Sequence, residues 1–325
     1  MLNENSVTVV SQNGSITSFV EIDIKAKDYI QQAQADNTRK AYRNDLQHFV
    51  KWCARYSLSP LPADLDTVVR YLTEMAEQGF KVATITRRIS AISQAHQAKG
   101  LESPTHSLAV RKVMAGIRRS KGTAQNGKAP TMTEDIRSMV QALPDNLIGI
   151  RDAALLLLGF AGAFRRSELV SLDVECITFT REGLKVLLRR SKTDQDGDGM
   201  VKGIAYGSHP ETCPVRAVQR WLESSGLSIG PLFRSVNRHG QMQSDRLSDK
   251  AVALVIKRQA KAAGLNPQDY AGHSLRAGHA TSAAKAGAGE RAIMKQTGHR
   301  STAMVRRYIR MGSLFDENSS TMIGL

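Results

Sequence analysis

Cysteine is scarce in this sequence: three residues, Cys53, Cys176 and Cys213, occur among 325. Their number is odd and no two lie close together in the chain. The spacing is therefore not that of a disulfide framework, nor of a zinc site built on cysteine pairs. We expect free, buried thiols and a reducing compartment.

Long apolar runs and targeting signals are also missing. The longest mostly apolar stretch, residues 153–163, is interrupted by Gly159 and Gly162 and is far shorter than the roughly 20 residues that a membrane span requires. Residues 1–20 lack the basic start and apolar centre of a signal peptide. These absences argue against an integral membrane or secreted protein, and we expect a soluble cytoplasmic protein, associated with the nucleoid if its partner is DNA.

Several motifs of catalysis and metal binding are absent as well. There is no G-x-x-x-x-G-K-[ST] nucleotide-binding loop and no conspicuous carboxylate pair of the metal-dependent nucleases. The run 194–199 matches the first half of an EF-hand loop, but the twelfth position is Ala205 where a glutamate is required. The histidines at 273, 279 and 299 have neither a neighbouring cysteine pair nor the short spacing of a compact zinc site. We expect no metal and no cofactor.

Acidic residues are too few to balance the basic ones. The chain has 45 Lys and Arg against 30 Asp and Glu, a formal net charge of +15 and a sequence pI near 9.9. A surface of this sign attracts polyanions, chiefly nucleic acid or an anionic membrane. A basic protein without such a partner is the alternative, and composition alone does not decide between them.

Helical periodicity predicts a small all-helical domain over residues 21–119, after a polar and flexible segment at 1–20. Apolar residues recur at three- and four-residue steps in most of its predicted helices. The second and fourth helices also carry basic residues outside their apolar stripes, namely Arg39, Lys40, Arg43, Arg87 and Arg88. Such residues are candidates for contact with a polyanion, although exposed Arg and Lys often serve only solvation.

A linker and a second domain follow. Residues 120–130 contain two Gly and one Pro without apolar periodicity, which is typical of a linker. The sequence from 131 to 310 predicts further helices and a small antiparallel β-sheet, with strands near 176–180, 184–190 and 201–206. The fold class is therefore mainly α with a small antiparallel sheet, and residues 311–325 form a C-terminal tail.

Polar residues that could bind an anion stand in two places of the second domain. Arg276 falls in the first turn of a helix predicted to begin near His273, where the helix dipole and free N–H groups favour a phosphate. Arg165 follows a strongly apolar helix, and burying it there is costly unless it pairs with a carboxylate or a phosphate. A structural pair with Glu168 and an anion site are both open. Tyr308 would stand at the edge of such a site as a nucleophile.

Short motifs along the second domain resemble the tyrosine site-specific recombinases, the phage integrase family that includes Cre and the Xer recombinases. The motifs are FRRSEL at 164–169, SKT at 191–193, HSLR at 273–276, GH at 298–299 and the tyrosine of MVRRYIR at 308. The resemblance covers residues 21–310. It implies an N-terminal helical, SAM-like core-binding domain and a C-terminal mixed α/β catalytic domain.

The resemblance implies a role for each motif residue. Two arginines would clamp the scissile phosphate, a lysine in the hairpin would protonate the leaving oxygen, two histidines would assist, a tyrosine would attack and a glutamate would steady the site. In this sequence these residues are Arg165, Arg276, Lys192, His273, His299, Tyr308 and Glu168. His279 stands where the family often has Phe, and we expect it to serve packing. The five basic residues of the helical domain become candidates for DNA contact.

The same resemblance implies partners and a reaction. Strands of a double-stranded recombination site would be exchanged through a 3′-phosphotyrosyl intermediate and a Holliday junction, without metal or ATP. A dimer on each site would form a homotetramer, with tail 311–325 docking on a neighbouring protomer and with an accessory protein or partner recombinase in some systems. Three alternatives remain: a type IB topoisomerase-like enzyme, a catalytically inactive DNA-binding accessory factor, and a metal-dependent nuclease. The sequence does not distinguish integration, cointegrate resolution and replicon dimer resolution.

Overall fold

The chain forms two compact units, Met1–Gln125 and Asn126–Leu325. The computed structural model describes residues 9–10, 16–17, 19–33, 35–123, 127–189, 199–312 and 323. Much of the predicted flexible segment 1–20, part of the predicted linker 120–130 and most of the predicted tail 311–325 lie outside these ranges. Among the described helices, none combines the length and apolar character needed to cross a bilayer.

The first unit is helical, as the periodicity predicts. Its helices are α1 (Phe19–Gln32), α2 (Asp36–Arg55), α3 (Leu65–Glu77), α4 (Val82–Gln97) and α5 (Leu108–Lys121). Two short strands that the sequence does not predict, β1 (Val9–Val10) and β2 (Ile16–Thr17), pair antiparallel before α1. The core of the unit is built by apolar residues of α2 to α5 and includes Phe49, Trp52 and Tyr71, whose rings lie within about 6.4 Å of one another.

The second unit mixes helices with two small sheets. Its helices are α6 (Thr133–Gln141), α7 (Leu147–Ala161), α8 (Arg166–Ser171), α9 (Pro214–Ser225), α10 (Asp249–Ala262), α11 (Ser274–Lys285), α12 (Glu290–Thr297) and α13 (Thr302–Gly312). Its strands are β3 (Ile177–Thr180), β4 (Gly183–Leu188), β5 (Met200–Ala205), β6 (Arg234–Val236) and β7 (Met242–Arg246). The large core of this unit surrounds α7, which is apolar on nearly every side.

The three predicted strands form one antiparallel sheet in the order β3-β4-β5. Ile204 of β5 pairs with Leu184 of β4, and Lys202 pairs with Val186. Cross-strand partners point to the same face of a sheet, so Lys202 faces inward with these apolar residues. The strands β6 and β7 form a second antiparallel sheet.

Helix α11 packs unusually close to the chain that leads into α6. The Thr131 N–H donates to the Ser274 carbonyl at 3.1 Å, and a Cβ added to Gly278 would lie 1.8 Å from the Thr131 carbonyl oxygen. Only glycine permits that approach. The other side of α11 contacts α13 through a small apolar cluster, made of Ala277, Ala280, Ile293, Val305 and Tyr308.

Candidate active site

The candidate site is built around the C-terminal end of α7. The helix ends at Ala161, and the chain turns at Ala163, whose φ of +48° lies in the left-handed region. That conformation costs an L-residue roughly 1–2 kcal/mol, so surrounding contacts must hold it. Ala163 is buried, and the N–H of Phe164 donates to the Gly159 carbonyl at 3.1 Å. The turn leads directly into Arg165 and α8.

Arg165 and Glu168 form an ion pair, which is one of the two possibilities that the sequence left open for Arg165. The Arg165 N–H donates to one carboxylate oxygen of Glu168 at 2.9 Å, and its guanidinium donates to the other. The carboxylate is 4% exposed, while the Arg165 side chain is 17% exposed. A guanidinium has five N–H donors, so Arg165 retains donors for a second acceptor. The pair and an anion contact are therefore compatible.

Arg276 is the most deeply buried cation near this pair. Its Nη1 donates to the Ala163 carbonyl at 2.9 Å, whereas its Nε and Nη2 have no hydrogen-bond partner among the residues that the structure describes. Burial, together with the nearby Arg165, lowers the pKa of Arg276 to about 10, against the opposing influence of Glu168 and Tyr308. Buried N–H donors are nearly always paired in proteins, so two unused donors on one guanidinium indicate an anion site.

Tyr308 lies beside these groups on α13. Its hydroxyl is 3.5 Å from Nε2 of His273, the residue that precedes α11, and its ring centroid is 6.0 Å from that of His299. The ring is buried in the cluster between α11 and α13. The structure thus gathers His273, Arg276, His299 and Tyr308 at one place.

The hydrogen bonds of His299 indicate its tautomer. Its Nδ1 lies 2.7 Å from the Thr297 hydroxyl oxygen, and that hydroxyl donates its single hydrogen to the Ile293 carbonyl at 2.7 Å. The hydroxyl oxygen must therefore accept from Nδ1–H, which leaves Nε2 unprotonated. Burial, followed by the positive charge of Arg276, lowers the pKa of His299 to about 4. The imidazole is therefore neutral near pH 7, with a free acceptor.

Lys202 is a buried cation that the sequence analysis did not single out. Its side chain is 2% exposed, donates to the Gly162 carbonyl at 2.7 Å and lies 4.6 Å from the centre of the Phe164 ring. Burial, aided by nearby Arg276 and Arg165 and opposed by Glu168, lowers its pKa to about 7. The sequence did contain a signal: Lys202 stands two residues before the buried Ile204 and shares its face of the strand.

Two predicted features of the hairpin cannot be located. Lys192 and residues 194–198 of the EF-hand-like run 194–199 lie outside the described residues, whose gap here is 190–198. His279, expected to serve packing, lies on α11 with its ring edge-on to Phe160 at 5.9 Å, and burial lowers its pKa to about 4. In the described parts of the chain, no three His, Cys, Asp or Glu side chains gather in a group that could hold a metal ion.

The basic residues of the first unit occupy different environments. Lys40 and Arg43 are exposed on α2, and Arg39 donates to Asp36 on the same helix. Arg87 is about half exposed and donates to the buried carboxylate of Asp45 at 2.6 Å.

Arg88 does not fit the expected surface position. It is buried, with its guanidinium 4.5 Å from the Phe80 ring centre and its Nε 3.6 Å from Asp45. The reason is its spacing: Arg88 lies three residues after Ile85 and four before Ile92, both buried, so it belongs to the inner face of α4.

Comparison with known proteins identifies the family. The phage integrase family model matches residues 131–313, and the model of the phage integrase N-terminal SAM-like domain matches residues 27–102. The integrase/recombinase xerD homolog of Selenomonas ruminantium is 41% identical over 312 residues, which cover 95% of this chain and 91% of that protein. Recombinase cre of Escherichia phage P1 is 25% identical over 314 residues, 90% of this chain and 89% of that protein.

Solved structures share the fold. The Tn1549 transposon integrase in complex with transposon right end DNA superposes with a TM-score of 0.61 at 17% identity, covering 87% of this chain and 92% of that one. The XerH site-specific recombinase bound to palindromic difH substrate, in a post-cleavage complex, gives a TM-score of 0.58 at 16% identity over 80% of this chain and 71% of that one. On the family models and the xerD homolog together, this chain belongs to the phage integrase family, the tyrosine site-specific recombinases.

Proposed function

We propose that this recombinase cleaves and rejoins DNA at a specific site through a covalent 3′-phosphotyrosyl intermediate on Tyr308. The observation that carries the proposal is the juxtaposition of two groups. A buried tyrosine hydroxyl lies 3.5 Å from the His273 imidazole, beside Arg276, a buried guanidinium of which two nitrogens, Nε and Nη2, have no hydrogen-bond partner among the described residues. A nucleophile next to a cluster of N–H donors that can bind an anion is what attack on a phosphodiester requires.

Arg276 and Arg165 supply the positive charge for the reaction. Attack on phosphorus places charge on the non-bridging oxygens, and fixed guanidinium donors stabilise such oxygens most effectively in a site sheltered from water. Arg276 is held by the Ala163 carbonyl and Arg165 by Glu168, so both side chains are ordered before DNA arrives. Little reorganisation is then needed in the transition state.

The tyrosine proton must leave during the attack. A phenol has an ordinary pKa of about 10, so at neutral pH it needs a base. His273 is nearest, with Nε2 facing the hydroxyl at 3.5 Å; such contacts often shorten once substrate binds. His299, neutral and with Nε2 unprotonated, is a second acceptor at the same site.

Each step of the proposed reaction forms one phosphodiester bond and breaks another, so it needs no external energy source. The Tyr308 oxygen forms a bond to phosphorus while the bond from phosphorus to the 5′ oxygen breaks, and Lys192 gives that oxygen its proton. One phosphodiester replaces another, and a 5′-hydroxyl from the partner strand reverses the step. No ATP is consumed, and the arginines take the place that a metal ion would otherwise occupy.

The partner is a double-stranded recombination site, as the family and the charge of +15 together suggest. In the helical domain, proposed as residues 21–119, the exposed Lys40 and Arg43 and the half-exposed Arg87 contact DNA, whereas the buried Arg88 supports the fold. The active form on two synapsed sites is a homotetramer, with tail 311–325 reaching a neighbouring protomer.

The proposal predicts a covalent adduct whose formation does not require metal. Purified protein is incubated in EDTA with a nicked duplex that carries the candidate site, so that the short 5′-hydroxyl strand diffuses away and the intermediate accumulates. A denaturing gel should show protein linked to the labelled 3′ end. Cleavage that needs a divalent ion, or that leaves unlinked DNA ends, would contradict the proposed chemistry.

A further inference from the structure

Three side chains from three different elements donate to three consecutive carbonyls, that of the last residue of α7 and those of the two residues after it. Gln296 of α12 donates to the Ala161 carbonyl at 2.9 Å and to the Gly203 carbonyl at 3.2 Å. Lys202 of β5 donates to the next carbonyl, that of Gly162, at 2.7 Å, and Arg276 of α11 donates to that of Ala163 at 2.9 Å. Hydrogen bonds to these three carbonyls therefore connect the end of α7 to β5, to α11 and to α12, the helix that precedes His299.

The physical chemistry of a helix end favours this arrangement. The last carbonyls of a helix have no partner within it and form the negative end of its dipole, so they attract donors and cations. The turn that exposes these carbonyls contains the left-handed Ala163, a conformation that persists only where neighbouring contacts enforce it. Lys202 and Gln296 provide such contacts immediately before Ala163.

Packing alone does not explain a lysine at position 202. The side chain is almost fully enclosed and lies over the Phe164 ring, a place that methionine would fill without burying a charge. An ammonium group in such a place lowers the stability of the fold. A destabilising charge beside a functional site indicates a role in the chemistry of that site.

We propose that Lys202 is a positioning residue of the cleavage site. Together with Gln296, it fixes the end of α7 so that the Ala163 carbonyl holds the Arg276 guanidinium in line with the scissile phosphate. This inference rests on the function proposed above. Lys202 does not touch the reacting atoms, and its role is separate from that of Lys192, the proposed acid.

The ammonium group also belongs to a local charge balance. The titratable and charged groups that act on Lys202 or on Arg276 come from several elements: Glu168, Arg165, Arg276, His279, His299 and Tyr308. Among them Glu168 opposes the fall in the pKa of Lys202, and both histidines are neutral near pH 7 because burial lowers their pKa values to about 4. A phosphate bound by the arginines adds negative charge and favours protonated Lys202, so phosphate binding and proton uptake are linked.

Single-turnover cleavage of the nicked duplex tests the positioning role. Lys202→Met should lower the cleavage rate roughly 10- to 100-fold, as expected when a clamp residue is slightly misplaced, while the Kd for DNA stays within about threefold. Lys202→Arg restores a donor and a cation and should return most of the rate. The control is Lys185→Met, an exposed lysine on the adjacent strand that pairs with Gly203. A Lys202→Met rate equal to that of wild type would overturn the proposal.

A second substrate separates positioning from proton donation. When sulfur replaces the bridging 5′ oxygen, the leaving thiolate needs no acid, because thiol pKa values lie near 8.5. Lys202→Met should remain slow on this substrate. Recovery of its rate would make Lys202 an acid and would overturn the positioning role. Failure of the wild type to form any adduct would instead reject the recombinase chemistry itself.

A third measurement needs no DNA and checks the burial on which the argument depends. The pKa of Lys202, about 7, lies below its ordinary value of 10.5, so the folded protein holds fewer protons than the unfolded chain between these values. The free energy of unfolding of the wild type should therefore increase with pH between about 7 and 10.5. Lys202→Met has no titrating group at this position and should not show this increase. From pH 6 to pH 9, the Tm of wild type relative to the variant should increase by about 5 °C. If the Tm values of the wild type and of Lys202→Met changed with pH in the same way, Lys202 would not be a buried lysine with a lowered pKa.

Discussion

Replacing Tyr308 with phenylalanine is expected to abolish the covalent protein–DNA adduct while leaving the fold and DNA affinity unchanged. Phenylalanine keeps the ring that packs against Ala277, Ala280, Ile293 and Val305, so the contact between α11 and α13 survives. It removes only the hydroxyl that faces His273 and that would bond to phosphorus. The adduct is measured on the nicked duplex, the fold by thermal melting, and affinity by titration with intact DNA.

The matched control is Tyr206→Phe, an exposed tyrosine of the same unit that lies just after β5. It should form the adduct at the wild-type rate. An adduct that persists in Tyr308→Phe would assign the nucleophile to another residue, and mapping the linked peptide would identify it. Loss of DNA binding in this variant would show that the hydroxyl serves recognition instead of attack.

Replacing Arg276 with alanine is expected to lower the cleavage rate about a thousandfold, because the site loses two donors to the phosphoryl oxygens and a buried positive charge. DNA affinity should remain within about tenfold, because we expect other basic residues of this chain to supply most of the phosphate contacts. The Ala163 carbonyl also loses its donor. Arg276→Lys keeps the charge but cannot reproduce the forked geometry of a guanidinium, so it should recover only part of the rate.

The control for this series is Arg220→Ala, an exposed arginine of α9 that pairs with Asp145. It should cleave as wild type does. Cleavage by Arg276→Ala within tenfold of wild type would refute the phosphate role of Arg276. A collapse of DNA affinity would indicate that the residue acts mainly in binding, and normal melting would be needed to exclude an unfolded variant.

Much of the architecture follows from periodicity. Most helices of the first unit and the strands β3, β4 and β5 correspond to apolar patterns in the sequence, whereas α11, with the sequence SLRAGHATSAAK, has no apolar stripe. The gathering of Arg165, Arg276, His299 and Tyr308 does not follow from periodicity, because these residues are brought together by tertiary packing around the end of α7. Their grouping could be anticipated only through the resemblance to a family.

Two residues show where simple patterns mislead. On β5, hydrophobicity favours Val201 as the inward residue, yet Val201 is 60% exposed and Lys202 is buried, because pairing with β4 fixes which face is inside. On α4, the charge of Arg88 suggested an outer position, but its spacing from Ile85 and Ile92 places it inside, against Asp45 and Phe80. In both cases the position of the residue in its strand or helix, and not its charge, decides whether it is buried. The buried cation is stabilised by a nearby aromatic ring and, for Arg88, also by a carboxylate.

The small cluster between α11 and α13 has a consequence for how the nucleophile is held. Tyr308 and Val305 belong to that cluster and not to the large core around α7. Elements that bury little apolar surface open locally at a lower free energy than the whole domain unfolds. Amide hydrogens of α13 should therefore exchange with solvent well before those of α7. An enzyme built in this way can withdraw its nucleophile as a single helical segment, and so pause between strand cleavages, without repacking the interior of the domain.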